Sequence, residues 1–519
     1  MQLHIDRIRF VGLLFFATIA TYVLIALGTA VSSTGGAESC TTWPACESNW
    51  TFGPITAELA LFWGHRVAAL VAGILLALVA IGALRLDVDR YTAGSIGVAA
   101  ILYPVQVGLG ATLVGSDSRI VGGLHLALAM IIFATMLIAL ARSLETLTER
   151  RTLTGDREGS HGSTISGPSL TGANESRTNE TGGDFRDSTH SSTHEDEYTT
   201  VGDGEAATTA AAPDAAVPLG RVRSPYRQVR RRVGAYVALT KPRLMWLLCL
   251  VAVAGMGLAV ASGGTIRLTT AVATLLGGVL AIGAAGAFNQ VYERDRDERM
   301  HRTDDRPLVH DRVPARNAYA FVLLLTAAST AVVLTWVNFL ATVLTLAAIG
   351  YYAIIYTVVL KPHTAWNTVL GGGAGAIPAL IGWAAVTGDI GWPALVLALV
   401  IFLWTPAHFY SLAIAYREDY ARGGFPMLPV VAGELVARRH VLGYLGATML
   451  AVSLLGWIAG LGLLYAIVSV ALGVVFLRSV VHQYVEPTTE RALRSFYVSN
   501  AYLGVLLLAI TLESGLALF

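Results

Sequence analysis

Charge is what this chain has least of. Asp, Glu, Lys and Arg make up 14% of its 519 residues, against roughly 25% in soluble proteins. That composition excludes a water-soluble globule. The 36 basic and 35 acidic residues leave a net charge of +1, so nothing in the global charge calls for a nucleic-acid partner. Lysine is scarcer still. Among the basic residues only Lys241 and Lys361 are lysines; each precedes a proline and each sits at the edge of an apolar run. Compact ammonium groups are good diphosphate binders; chance placement is the alternative. The three cysteines are too few for a disulfide scaffold. Cys40 and Cys46 flank Trp43-Pro44, and Cys249 lies in an apolar run as a packing residue.

Long hydrophobic runs fill the rest. Hydrophobic residues are 54% of the chain and the mean hydropathy is +0.60. Runs of about 20 apolar residues predict membrane-crossing helices at about 10–31, 62–83, 93–114 and 121–141. Nine more follow at about 243–261, 267–288, 317–335, 338–359, 366–386, 392–414, 440–460, 462–480 and 498–517. Between the two sets lies a polar tract rich in Ser, Thr, Gly, Asp and Glu, without periodicity, which predicts a disordered linker. The expected fold is an all-α polytopic membrane protein. It comprises a four-helix transmembrane bundle over 1–145, the linker over 146–228 and a nine-helix bundle over 229–519. The first run is long enough to span and no cleavage site follows it, so it reads as a helix rather than a signal peptide.

Basic flanks set the expected orientation. Arg7 and Arg9, Arg85 and Arg90, Arg142, Arg150 and Arg151, and Arg230 to Arg232 all fall on one side, as do the charged loops 289–316, 361–366 and 415–439. The N-terminus is then cytoplasmic, the C-terminus outside, and the membrane the plasma membrane. The Cys40/Cys46 loop becomes external, where a disulfide between the two is chemically allowed.

The most informative stretch runs from Asn289 to Thr303. Asn289, Glu293 and Asp297 are spaced four apart, so on a helix they share a face, drifting by about 80°. Three oxygen ligands on one stripe can hold a hard cation such as Mg²⁺ together with a phosphorylated substrate. Asp295 points off the stripe. The bland alternative is a charged loop that only fixes topology. Three more patches should meet the stripe at the same membrane face. They are Thr240-Lys241-Pro242-Arg243, then Tyr356 to Lys361 with Asn367 and the glycines of 371–375, then Trp404 to Phe409 running on to Tyr420. Cations for released negative charge beside apolar walls suit transfer of a prenyl group from a diphosphate.

These patches resemble the UbiA-type intramembrane prenyltransferases and, within them, the protohaem IX farnesyltransferase (haem O synthase) branch, over roughly 229–519. Arg302-Thr303 with Arg306-Pro307-Leu308, and Trp404-Thr-Pro-Ala-His408-Phe409, carry the resemblance to that branch. Glu293 stands where many relatives have Asp. The second acidic pair of the superfamily is not intact, since Ala415 and Gly423 flank Asp419 at that spacing, but Arg417 and Asp419 match the haem branch. The resemblance implies farnesyl diphosphate and haem B as substrates and Mg²⁺ as cofactor. Asn289, Glu293 and Asp297 would hold Mg²⁺-diphosphate, and Arg302, Lys361, Lys241 and Arg417 would neutralise its oxygens. Asp419 would bind a second metal ion or orient Arg417. Arg243, Arg306, Asn367, His408 and Tyr420 would contact substrate, His408 through haem or as a packed histidine. The same scaffold could instead prenylate a quinone precursor or a lipid glycerol, and a non-catalytic haem carrier or transporter is the reading of another class.

In the front block, His65 opens the second run and His125 the fourth, both at the outer face. Two imidazoles at similar depth suit bis-histidine haem ligation in a bundle; interfacial histidines bonded to water and neighbours are the alternative. Cys40-Thr-Thr-Trp-Pro-Ala-Cys46, Trp63-Gly-His65-Arg66, Gln106-Val-Gly-Leu-Gly110 and His125-Leu126 resemble one half of the haem A synthase family, over about 10–140. The resemblance implies haem binding, oxidation of haem O towards haem A, and a homo-oligomer built through the half-size domain. One position departs: the family usually has Glu three residues before the first histidine, and here that residue is Phe62, with Glu58 one turn earlier.

Overall fold

A computed structural model describes residues 2–34, 43, 57–114, 118–160 and 225–516. The front block is four helices: α1 (Gln2–Ser33), α2 (Ala57–Arg85), α3 (Arg90–Leu113) and α4 (Arg119–Ser160). A second block opens with α5 (Pro225–Leu239), α6 (Pro242–Ala261), α7 (Leu268–Tyr292) and the single turn α8 (Arg294–Asp297). It continues with α9 (Ala315–Trp336) and α10 (Phe339–Gly350), then a π-helical stretch, Tyr351–Leu360, closed by α11 (Lys361–His363). The remainder is α12 (Asn367–Thr387), α13 (Trp392–Ala415), α14 (Arg417–Arg422), α15 (Leu428–Val431), α16 (Glu434–Ala459), α17 (Leu463–Val485) and α18 (Thr489–Leu516). Thirteen segments are long and apolar enough to cross a membrane, four in the front block and nine in the second.

Local chemistry sets the helix ends. The Asp89 carboxylate caps α3 by accepting from the Tyr91 and Thr92 amides at 2.9 and 3.1 Å. Asn338 accepts from the Ala341 amide at 2.8 Å at the start of α10 and donates to the Ala384 carbonyl at 2.7 Å, so one side chain caps a helix and ties it to α12. Gly388 and Gly460 end α12 and α16 in the left-handed region. Where α6 crosses α12, Gly255 faces the Ala379 carbonyl and Gly382 the Ala252 carbonyl, with no room for a Cβ at either. In lipid such close approach is the main source of helix association.

The polar tract differs from expectation at both ends, because α4 runs on to Ser160 and α5 begins at Pro225. Helix propagation past the bilayer needs only continued backbone bonding, which Ser and Thr residues permit. Residues 161–224 and the Cys40/Cys46 pair lie outside the described residues.

The two blocks share one core. Phe10, Leu14, Tyr22, Phe133, Leu137 and Leu140 of the front block pack in the same apolar cluster as Leu442, Met449, Tyr465 and Phe476. Gly446 makes room for Leu137, Gly473 for the ring of Tyr22 and Gly123 for Trp457. An ion pair between Glu145 and Arg439 at 2.7 Å closes one end of the seam. Thus α1 and α4 spend their inner faces on α16 and α17 of the same chain. Proteolysis at a site introduced within 161–224 should therefore leave two fragments that co-elute in mild detergent, and Gly446→Leu with Arg439→Glu should separate them. Fragments of the otherwise unaltered chain that elute apart would contradict a shared core.

Candidate active site

The acidic stripe sits where α7 ends. The helix stops at Tyr292, yet the amide of Glu293 still donates to the Asn289 carbonyl at 2.9 Å and that of Asp297 to the Glu293 carbonyl at 2.8 Å. The four-residue period therefore survives the break. Asn289, Glu293 and Asp297 are 1%, 1% and 2% exposed, whereas Asp295 faces outward, as the spacing predicts. Each buried oxygen group has its own cation. Lys241 donates to the Asn289 amide oxygen. Lys361 Nζ lies 2.6 Å from both Glu293 oxygens. Arg306 pairs with Asp297.

Two backbone features bring the lysines in. Lys241 has a left-handed φ of 53° at the turn between α5 and α6, where Pro242 fixes the first helical residue of α6. That conformation is uncommon for a residue with a Cβ and is held by its surroundings. The second feature is the π-helical stretch. The Lys361 amide donates to the Tyr356 carbonyl five residues back, and the Thr357 hydroxyl to the Tyr352 carbonyl at 2.8 Å. Thr357 accepts from the Asn289 amide at 3.1 Å, and Tyr352 lies 3.5 Å from Lys241 Nζ. Tyr352 and Lys361 are nine residues apart. In an α-helix that is about two and a half turns, which puts them on opposite sides. Wider π winding, about 4.4 residues per turn, makes it close to two turns and puts both on the site.

Further groups brace the cluster instead of entering it. Asn367 is fully buried, and its amide donates to the Thr364 and Lys361 carbonyls at 2.7 and 3.5 Å while its oxygen accepts from Thr368. It fixes the turn behind Lys361, and with no exposed surface it braces the site from behind. Asp419 does not touch Arg417. It pairs with Arg422 and accepts from the backbone amides of His301 and Arg302 at 3.3 and 3.1 Å. The expected orienting role therefore falls on the 301–302 backbone, and Arg417 reaches Glu434 at 3.8 Å instead. Arg302 stays exposed, donating to the Tyr420 hydroxyl at 3.1 Å with its guanidinium over the Tyr416 and Tyr420 rings.

Burial decides the electrostatics. It pushes Lys241 down to about 7, helped by the Arg306 charge and opposed by Glu293. It also pushes Glu293 up, but Lys361 and Lys241 outweigh it and hold that carboxyl below its usual range. Burial raises Asp297 even against Arg306. For Asp419 burial loses to Arg422 and the two amides, and the carboxyl lies low.

Beside the charged cluster opens a cavity of about 340 Å³. Lys241 and Arg243 mark its polar end; Tyr352, Tyr356, Leu247, Ile282 and Trp404 are among its walls. His408 also lines it, stacked between Trp404 and Phe496 with ring centroids 4.3 and 4.4 Å away, and bonded through Nδ1 to the Ser499 hydroxyl at 2.7 Å. Gly371 and Gly373 accept the rings of Tyr356 and Tyr351, so these glycines serve close packing. Tyr352 and Arg422 went unrecognised in the sequence. Tyr352 is out of α-helical phase with Lys361, and Arg422 reads as one more surface arginine.

At the opposite end of the front block, the His65 ring packs on Gly28 and the His125 ring on Gly110. Nδ1 of each is buried with no hydrogen-bond partner among the described residues, and His125 Nε2 meets the Gln106 amide at 3.2 Å. Phe62 is buried beneath the Arg66 guanidinium, 4.3 Å from its ring centroid. The side chain of Glu58, one turn earlier, lies outside those described.

Comparison with known proteins divides the chain in the same way. The UbiA prenyltransferase family model matches residues 248–504, and a cytochrome oxidase assembly protein model matches 4–144. A protoheme IX farnesyltransferase of Haloarcula marismortui is 45% identical over 513 residues, 97% of this chain and 98% of that protein. One from Halobacterium salinarum is 45% identical over 510 residues, 98% of each chain. The solved structure of a UbiA homologue from Archaeoglobus fulgidus bound to GPP and Mg²⁺ aligns over 53% of this chain and 99% of its own, at 15% identity and a TM-score of 0.43.

The bracing role of Asp419 is testable. Asp419→Asn keeps the shape but weakens three charge-assisted bonds, about 1–3 kcal/mol in all. Hydrogen exchange at the His301 and Arg302 amides should then speed by about 10- to 100-fold. Unchanged exchange would show that the loop is held by other contacts.

Proposed function

This chain belongs to the protoheme IX farnesyltransferase family, and from that premise we propose which of its residues perform the transfer and what its front block does. The enzyme is a prenyltransferase embedded in a membrane. The observation that carries the assignment of residues is the buried interlock of Asn289, Glu293 and Asp297 with Lys241, Lys361 and Arg306 at the polar end of an apolar cavity.

The donor set suits Mg²⁺: two carboxylates and an amide oxygen, all hard, with the substrate's phosphate oxygens completing the shell. Among the described residues no three His, Cys, Asp or Glu side chains cluster as a metal site. When bound, Mg²⁺ would neutralise charge developing on the leaving group. The chain's own cations do the same from fixed positions. As diphosphate arrives, Lys241, Lys361 and Arg306 exchange their carboxylate or amide partners for phosphate oxygens, and Arg302 closes from the exposed side. The C–O bond of farnesyl diphosphate breaks, and its electron pair leaves with diphosphate. The apolar walls keep water from the allylic cation, and the faces of Tyr352 and Tyr356 offer it a negative quadrupole. A vinyl group of haem B supplies the electrons of the new C–C bond. Water adds to the remaining vinyl carbon and loses a proton, giving haem O. His408, held by Ser499 and covered on both faces by Trp404 and Phe496, can turn only a ring edge towards the acceptor.

The front block reads as a haem-holding module. Among the described residues, His65 and His125 each offer a buried nitrogen without a partner, and Gly28 and Gly110 give their rings room to lie. Oxidation of haem O towards haem A would need a base that Phe62 does not provide. A homo-oligomer would have to use α2 and α3, because α16 and α17 cover much of α1 and α4. The arginine-rich loops support a cytosolic position for the diphosphate site.

Two outcomes follow for the full chain. Asp297→Ala and Lys361→Ala should each lower farnesyl transfer by at least about 100-fold, read by mass spectrometry of haems extracted from expressing cells. Either variant making normal haem O would remove its residue from the mechanism. His65→Ala and His125→Ala should abolish the haem absorbance of the purified protein and leave farnesylated haem in the extract. Retained absorbance in both would refute histidine ligation.

A further inference from the structure

The helix that precedes the diphosphate site has two faces with different needs. On one side of α5, Ala235 and Leu239 are buried in a small core with Ala287, Val291, Leu308 and Ala318. Tyr236 meets Phe321 edge-on at 5.1 Å. On the other side Tyr226, Val229, Val233 and Val237 are 74%, 60%, 56% and 50% exposed. Their spacings of three, four and four residues put them on a single stripe. Arg230, Arg231 and Arg232 are exposed beside it, and the helix contains no acidic residue.

An apolar stripe edged by arginines is the pattern of a helix lying in the membrane interface. The location agrees, since the spanning helix α6 starts at Pro242, three residues after α5 ends. The exposed apolar surface also continues across that joint to Leu244 and Trp246, 52% and 55% exposed, at the mouth of the cavity. We propose that α5 binds the phosphate groups of anionic phospholipids in the protein's own membrane, and that this binding positions Lys241. Guanidinium forks match phosphate oxygens, and the four apolar residues enter the acyl boundary.

The link to the active site is short. Gln290, next to Asn289, donates to the carbonyls of Ala238 and Leu239 at 3.0 Å each. The last turn of α5 is thus tied to the end of α7 that carries the acidic stripe. Two residues on, Lys241 holds its left-handed conformation and reaches Asn289. An α5 lifted from the membrane would pull on both. The proposal adds to the proposed role of Lys241 without requiring it, because lipid binding and farnesyl transfer are measured separately.

The test uses the full chain in phosphatidylcholine vesicles with and without phosphatidylglycerol. Hydrogen exchange over 229–240 should slow at least 10-fold when the anionic lipid is present. In the same vesicles the KM for farnesyl diphosphate should fall several-fold with kcat little changed. Three arginines near an anionic surface change partition by about 100-fold, so Arg230→Gln/Arg231→Gln/Arg232→Gln should lose both responses. Inorganic phosphate added to phosphatidylcholine vesicles should not reproduce them. Equal exchange in the two vesicle types would overturn the proposal, as would protection by free phosphate. Protection lost on cutting the 161–224 segment, with lipid unchanged, would also overturn it by making that acidic segment the occupant. A lipid response in exchange without any change in KM would retain the anchor and overturn the positioning of Lys241.

Discussion

The ion pair of Lys361 with Glu293 is the constraint on which the site depends. Both groups are almost withdrawn from solvent, at 12% and 1% side-chain exposure. An unpaired charge there would cost several kcal/mol. The pair, with Lys241 on Asn289 and Arg306 on Asp297, leaves each of these buried groups at the membrane boundary with a polar partner. Under the proposed function, diphosphate and a cation would each find a partner of opposite sign already present. Ligand binding would then be a change of partners, with the side chains already desolvated on folding.

Geometry permits that pair only because the chain leaves α-helical winding at Tyr351. Nine residues of α-helix would turn Lys361 away from Tyr352 and from α7. The π stretch restores the alignment, and the glycines at 371 and 373 give its tyrosines space. Asn367 then locks the exit by holding the Lys361 carbonyl. Lys361, the turn behind it and the two tyrosine walls therefore form one device, and a side chain in it can matter to catalysis without touching substrate.

This explains what could be read in advance. Asn289, Glu293 and Asp297 were legible because their spacing matches helical periodicity and the helix break at Glu293 leaves that periodicity intact. The thirteen spans were legible because lipid demands long apolar runs. Lys241 and Lys361 stood out against a background of arginine. The roles of Asn367, Asp419 and His408 were not legible. Their partners are backbone carbonyls, amides of a loop more than a hundred residues away, and an aromatic stack closed by Phe496. No local pattern encodes such bonds. The π winding escaped for a similar reason, since Tyr351–Leu360 reads as an ordinary apolar helix.

The seam between the blocks limits how the two proposed chemistries can cooperate. Glu145 meets Arg439 near the start of α16, and Gly123 meets Trp457 near its end, so α4 and α16 run antiparallel. Glu434 and Arg417 tie the start of α16 to the face that holds the acidic stripe. His125, beside Gly123, therefore lies towards the opposite face. The cavity is lined from the second block alone, by residues of α6, α7, α10, α12, α13 and α18 with the π stretch and Lys241. None of its lining comes from the front block, and α16 and α17 stand between. A farnesylated haem made at the stripe would thus reach the histidines by entering lipid and crossing the bilayer's thickness. Fusion would keep the two proposed sites near each other within the membrane, and the added farnesyl tail would favour the partition of the product into lipid.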